Sequence, residues 1–264
     1  MSSILKKTNT LFHTLRQFDY LKQIIQDKGF KASYAGEIIS ELKVQILMVS
    51  FSNVALFESE TQINYGKYSI GLNLSWGKQK GLQPVLYTYS DSAMGRTFFE
   101  NYFISEKDQT ILTILDEKEK DSQNFGLILD IRQIAENSKK MLLYLKQDIV
   151  KNKKGDEFKA YNDREWRFVY EGKDHANIIF ERNFLNAECI AEYEDAKSYP
   201  KPYTPNPVLS FELNDIKYLI VETPEEKKTI LMTLFESFDK EKVFDRIVNG
   251  ELDILSRNSL WDNI

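Results

Sequence analysis

The sequence predicts an α+β fold, with a mixed or mostly antiparallel sheet and flanking helices. Three observations carry that expectation. In residues 66–72, Tyr68, Ile70 and Leu72 alternate with small or polar neighbours, the period-two signature of a strand with one buried face. Residues 44–51, VQILMVSF, form a nearly continuous apolar run with Val, Ile and Phe, which suits a strand buried on both faces. Between and after such runs, Phe18, Leu21, Ile24 and Ile25 fall at helical spacing, and Thr223-Pro224-Glu225-Glu226 reads as a helix start with a capping threonine, proline at the first position and acids in the first turn. With 264 residues, 42% hydrophobic and 28% charged, the chain can bury a large core, and residues 1–264 are read as one domain.

In chain order, Leu11 to Leu15 form a short strand-like run that delivers His13 and Thr14 beside a helix start, a candidate site. The helix after it is expected to end on a left-handed cap at Gly29. In the strand at 66–72, Gly66 and Gly71 fit poorly; glycines there mark a bulge or a close approach by a ligand or another backbone. Ser75 can cap a short helix over 76–80, Gly81 can end it, and PVLYTY starts a further strand at Pro84. From residue 90 the pattern turns helical, with one apolar stripe through Met94, Phe98, Phe99 and Tyr102 and another through Ile111, Leu112, Ile114 and Leu115. Two elements of open type lie between 124 and 150, and the lysine-rich segment KQDIVKNKKGDEFK, 146–159, reads as a hairpin or loop. Residues 198–207 hold four of the six prolines and read as a wrapped loop. VLSFEL and IKYLIVE then read as a strand pair joined by Asn214-Asp215.

Composition narrows the function. The net charge of −5 argues against a whole-surface polyanion binder. No run approaches eighteen apolar residues and the start MSSILKKTNT lacks the apolar core of a signal peptide, so the expected location is the cytoplasm, away from membranes. One cysteine, Cys189, excludes an intrachain disulfide, and with two histidines it leaves no zinc-type cluster; no metal site is assigned, and a carboxylate-held Mg²⁺ stays open. There is no phosphate-loop or dinucleotide glycine fingerprint.

The most informative charged stretch is 161–170. Asn162-Asp163 supplies a turn, after which Trp166, Phe168 and Tyr170 alternate with Glu165, Arg167 and Val169. Glu165 between Arg164 and Arg167 has two readings. One is a surface salt bridge worth about 0–1 kcal/mol. The other is a carboxylate held ionised by a guanidinium and aimed at a substrate hydroxyl. Under the second, Glu165→Gln is expected to spare the fold and remove activity.

These stretches together resemble a known family. Leu11-Phe12-His13-Thr14, the run from Leu21 to Phe30, Tyr34, MVSFSNVALFE, YGKYSIGLNLSWGKQKGLQPVLY and YNDREWRFV are similar, in order and spacing over roughly residues 8–222, to the AbiGi-type abortive phage resistance family. Where that family often has a histidine shortly before its Tyr-Gly pair, this chain has Gln62, Ile63 and Asn64. The resemblance implies a bacterial phage-defence or toxin-antitoxin protein, commonly the antitoxin, with a cognate toxin or antitoxin as partner. A more distant resemblance, to the ADP-ribosyltransferase fold, implies NAD⁺ as substrate and a nucleic-acid or protein acceptor. It casts His13 and Thr14 as the NAD⁺ grip, Tyr65 or Tyr68 as the nicotinamide-stacking ring and Glu165 as the catalytic carboxylate; Arg164 or Arg167 would keep that carboxylate ionised, and Arg167 is also a candidate NAD⁺-binding residue. Cleavage of the glycosidic bond passes through an oxocarbenium-like state, which a carboxylate on the ribose would stabilise. Two functions therefore stand: ADP-ribosyl transfer to a macromolecule, or a non-catalytic antitoxin that binds a toxin or a phage component.

Overall fold

A computed structural model of the chain describes residues 8–39, 42–55, 66–89, 92–93, 133, 137, 140–151, 157–172, 178–180, 204 and 206–257. The expected strand at 66–72 is found as β5 (Tyr68–Asn73), inside the main sheet. It pairs antiparallel with β1 (Thr10–Leu15) over Thr10↔Asn73 to Leu15↔Tyr68 and, on its other side, with β14 (Ile216–Val221). Its glycines are explained by this packing. A Cβ on Gly66, at φ 158°, would lie 2.0 Å from the carbonyl oxygen of Leu15, and one on Gly71 would meet the ring of Phe12 at 2.7 Å. The approach that needs glycine here is the chain's own.

The apolar run at 44–51 lies in β4 (Leu42–Ser52), and its alternation divides its side chains between two cores. Leu47, Val49 and Phe51 enter the larger core. Facing them are Leu21 and Ile25 from α1 (Phe18–Asp27), Trp76 from α2 (Leu74–Gln79), Ile230 and Leu234 from α3 (Pro224–Ser237), and Val243 from α4 (Lys240–Val248). Val44, Ile46 and Met48 point the other way, into a smaller core with Leu142, Leu143, Leu145, Val169 and Ile178. The expectation of burial on both faces holds.

Among the described residues the main sheet runs in the order β15 (Asp253–Ser256), β14, β5, β1, β4, β11 (Glu165–Val169), β6 (Gln83–Pro84). Two further strands, β3 (Ser33–Ile39) and β12 (Ile178–Phe180), also pair with β4. All these pairings are antiparallel except β14 with β15. The fold is α+β with a mostly antiparallel sheet.

Several local expectations are corrected. Helix α1 ends on Lys28 in the left-handed region, φ 50°, and Gly29 begins a two-residue strand, β2 (Gly29–Phe30). Helix α2 starts two residues earlier than expected, after Asn73, and Ser75 lies within it. PVLYTY divides between β6 and β7 (Leu86–Thr88), because the N–H of Val85 donates to the carbonyl of Glu165 while Leu86 turns to pair with β8 (Leu145–Gln147). VLSFEL and IKYLIVE do not pair with each other. Leu209–Ser210, β13, pairs with β2, while β14 joins the main sheet, and a 3₁₀ turn at Leu213–Asp215 separates them. In the lysine-rich segment, β9 (Ile149–Lys151) pairs antiparallel with β10 (Glu157–Lys159). Thr223 caps α3 as expected, its hydroxyl accepting from the N–H of Glu226 at 3.3 Å. The apolar stripes from Met94 to Leu115 and most of the proline-rich loop lie outside the described residues.

Candidate functional site

The sheet has a gap, and the gap forms a cleft. On the side of β4 away from β11, β1 reaches only Ser52, opposite Phe12, while β3 begins with Ser33 opposite Met48. Among the described residues, no strand pairs with residues 49–51 of β4 on that side. A cleft of about 510 Å³ opens there, with His13, Thr14 and Ser50 at the sheet, Phe30 beneath, and Tyr20 and Ile24 from α1. His13 partly bridges the gap: its Nδ1 lies 2.8 Å from the carbonyl oxygen of Ser50. A carbonyl can only accept, so Nδ1 carries the proton and donates. Burial lowers the His13 pKa, against a raising effect of the Ser50 bond, so the ring is neutral and Nε2 is an acceptor. Phe30 and Phe51 hold the ring, with centroids 5.1 and 5.4 Å away.

Glu165 sits elsewhere, in a closed cluster of charges. On β11 the pattern is the reverse of a surface strand: Glu165, Arg167 and Val169 are buried, and Trp166 and Phe168 are half-buried. Oε1 of Glu165 accepts from Nε of Arg167 at 2.6 Å, and Oε2 accepts from Nζ of Lys146 at 2.5 Å. Arg167, fully buried, also donates to Oε1 of Glu37 at 2.6 Å and to the carbonyl of Leu143 at 3.0 Å. Lys146 lies 3.5 Å from the same Glu37 oxygen. Two carboxylates and two cations cancel within one buried group. Burial pushes the Glu165 carboxyl up, but Arg167 and Lys146 outweigh it and hold it below the ordinary carboxylate range. Tyr87 closes one end: its hydroxyl oxygen accepts from the N–H of Glu165 at 2.8 Å, and burial above all pushes its phenol up to about 12.

The register decides which expected site residues meet. Phe12, Ser52 and Glu165 stand opposite one another across β1, β4 and β11, so they share a face; His13, next to Phe12, projects from the other. His13 is accordingly among Phe30 and Phe51 of the larger core, and Arg167 and Val169 are on the side of the smaller one. Tyr68 shares the face of His13, but Phe18 covers its ring at 5.5 Å and its hydroxyl donates to Glu226 at 2.9 Å. Thr14 lies at the cleft on the other face, its hydroxyl 3.1 Å from that of Ser69. Tyr65 lies outside the described residues. The structure thus brings His13 and Thr14 to one cleft and does not bring Tyr68, Glu165 or Arg167 to it. NAD⁺ gripped at His13 would find no Glu165 beside its ribose.

The residues that sequence reasoning missed are Glu37 and Lys146. Glu37 stands 130 positions from Arg167, and Lys146 stands 19 from Glu165 in a segment that reads as a lysine-rich loop. No local pattern links them. Among the described residues, no group of three or more His, Cys, Asp or Glu is placed to hold a metal, and no helix is long and apolar enough to cross a membrane.

Comparison with known proteins gives two matches. A family profile described as "Putative abortive phage resistance protein AbiGi, antitoxin" matches residues 19–222. The chain is 27% identical over 215 residues to an abortive phage resistance protein AbiGi from Lactococcus lactis subsp. cremoris, covering 78% of this chain and 80% of that one. No solved structure matches.

Proposed function

The chain belongs to the AbiGi family of abortive phage resistance proteins, and on that premise we propose that it is the antitoxin half of a defence pair, acting by binding a partner toxin rather than by transferring ADP-ribose. The observation that carries this reading is that Glu165 does not line the cleft that holds His13 and is closed in by its own charged partners. Cleaving NAD⁺ requires a carboxylate free to reach the ribose next to the residues that hold the nucleotide. Both oxygens of Glu165 are instead taken by Arg167 and Lys146. Asp27, the carboxylate that lines the His13 cleft among the described residues, is paired with Lys31 at 3.0 Å. The family description, which includes the word antitoxin, supports the same reading.

Co-expression tests it. The neighbouring open reading frame, expressed alone, should arrest growth; the present chain, expressed with it, should restore growth and co-purify with its product. The Glu37→Gln/Lys146→Met variant, if folded, should rescue as well as the wild type, because the charge cluster is structural. Rescue without a complex would overturn binding as the mechanism.

A further inference from the structure

The cleft at the sheet gap has a chemistry that neither antitoxin binding nor the buried charge cluster uses. We propose that it is a binding site for a mononucleotide, with the base in the slot against Ile24, an N–H of the base donating to Nε2 of His13, and the phosphate on Arg16 at the rim.

Four features carry this. At about 510 Å³ the cleft is within the size range of small-ligand sites, and its lining includes the part-exposed apolar side chains of Leu15 and Ile24. The gap itself is built into the sheet, since β1 and β3 leave residues 49–51 of β4 uncovered between them. His13 is fixed as a directed acceptor: Nδ1 is committed to Ser50, and among the described residues Nε2 has no partner. An acceptor held in place selects a ligand that brings a donor, as the exocyclic amines and ring N–H groups of bases do. The fourth feature is charge. Lys31 is tied to Asp27, whereas Arg16 is exposed and has no ion-pair partner among the described residues, leaving its guanidinium to take a phosphate. Tyr20, 40% exposed beside the cleft, offers a ring face for a second stacking contact.

The test is calorimetric titration of the purified full-length chain with AMP and UMP, with adenosine and ribose 5-phosphate as arms that separate base from phosphate. The expected result is saturable binding of at least one nucleotide with Kd below about 1 mM, and weaker binding of both fragments. Arg16→Ala should weaken nucleotide binding about tenfold while leaving adenosine binding unchanged. Tyr20→Ala, at an exposed position, should weaken both nucleotide and adenosine binding. His13→Phe keeps an aromatic ring between Phe30 and Phe51 and removes the acceptor; with its melting temperature checked, it should lose the preference for the nucleotide over ribose 5-phosphate. The proposal is overturned if neither nucleotide saturates the chain, if ribose 5-phosphate binds as tightly as AMP, or if binding is unchanged in Arg16→Ala and Tyr20→Ala.

Discussion

Each oxygen of Glu165 faces a buried cation, so the residue's contribution is to the fold. Removing one partner of a buried, hydrogen-bonded ion pair leaves the other charge uncompensated, at a cost of about 3–5 kcal/mol. Glu165→Gln is therefore expected to lower the urea midpoint by an amount equivalent to about 3–5 kcal/mol, the reverse of the sparing effect that the sequence suggests. Adding Lys146→Met, which removes one stranded cation with a side chain of similar length, should recover part of the loss. A decrease under about 1 kcal/mol would mean the cluster is an ordinary exposed salt bridge. His13 gives a pH signature. Its folded pKa lies below the ordinary 6.5, so below that pH the unfolded chain binds the proton more readily and stability falls as pH falls. Between pH 7 and 5, His13→Phe should lose less stability than the wild type in parallel denaturation curves.

At the scale of elements, β5 and the start of α3 were legible for different physical reasons. Period-two alternation marks Tyr68, Ile70 and Leu72 as the buried face of β5, and all three are buried; Ser69 and Gly71 between them are buried as well, so the expectation of a single buried face is corrected. The Thr223 cap, with Pro224 behind it, is a local signal that needs no tertiary partner. Thr223→Ala should cost about 1 kcal/mol in denaturant melts. Ile70→Asp, at a fully buried position between β1 and β14, loses about 1.5–3 kcal/mol of apolar burial and adds an unpaired charge, and should abolish the cooperative unfolding transition. The pairing of β13 with β2 was not legible. Two adjacent strand-like runs suggest a hairpin, but the 3₁₀ turn at Leu213–Asp215, closed by reciprocal bonds between Glu212 and Asp215, sends β14 into the main sheet. On β11 the alternation is the one the sequence predicts, but the charged face is the more deeply buried one. What neutralises it comes from β3 and β8, and no spacing within β11 reports that.

For the molecule as a whole, composition and alternation sufficed for an α+β fold with a mostly antiparallel sheet, and the order of motifs along the chain sufficed for the family. The expected site residues do not all line one cleft, for a reason that lies beyond local sequence. Residues in the right order at strand ends meet only where tertiary pairing brings those ends together, and register between distant strands is set by that pairing. Here Phe12, not His13, stands with Ser52 and Glu165. The account's central claim, that this chain works by binding and not by ADP-ribosyl transfer, is tested most directly by incubating the purified protein with NAD⁺ labelled in the adenylate phosphate, in the presence of bacterial lysate, and following label into protein, RNA and DNA. The account predicts no transfer above a heat-inactivated control. Transfer by the wild-type chain that is lost in a folded His13→Phe variant would contradict it.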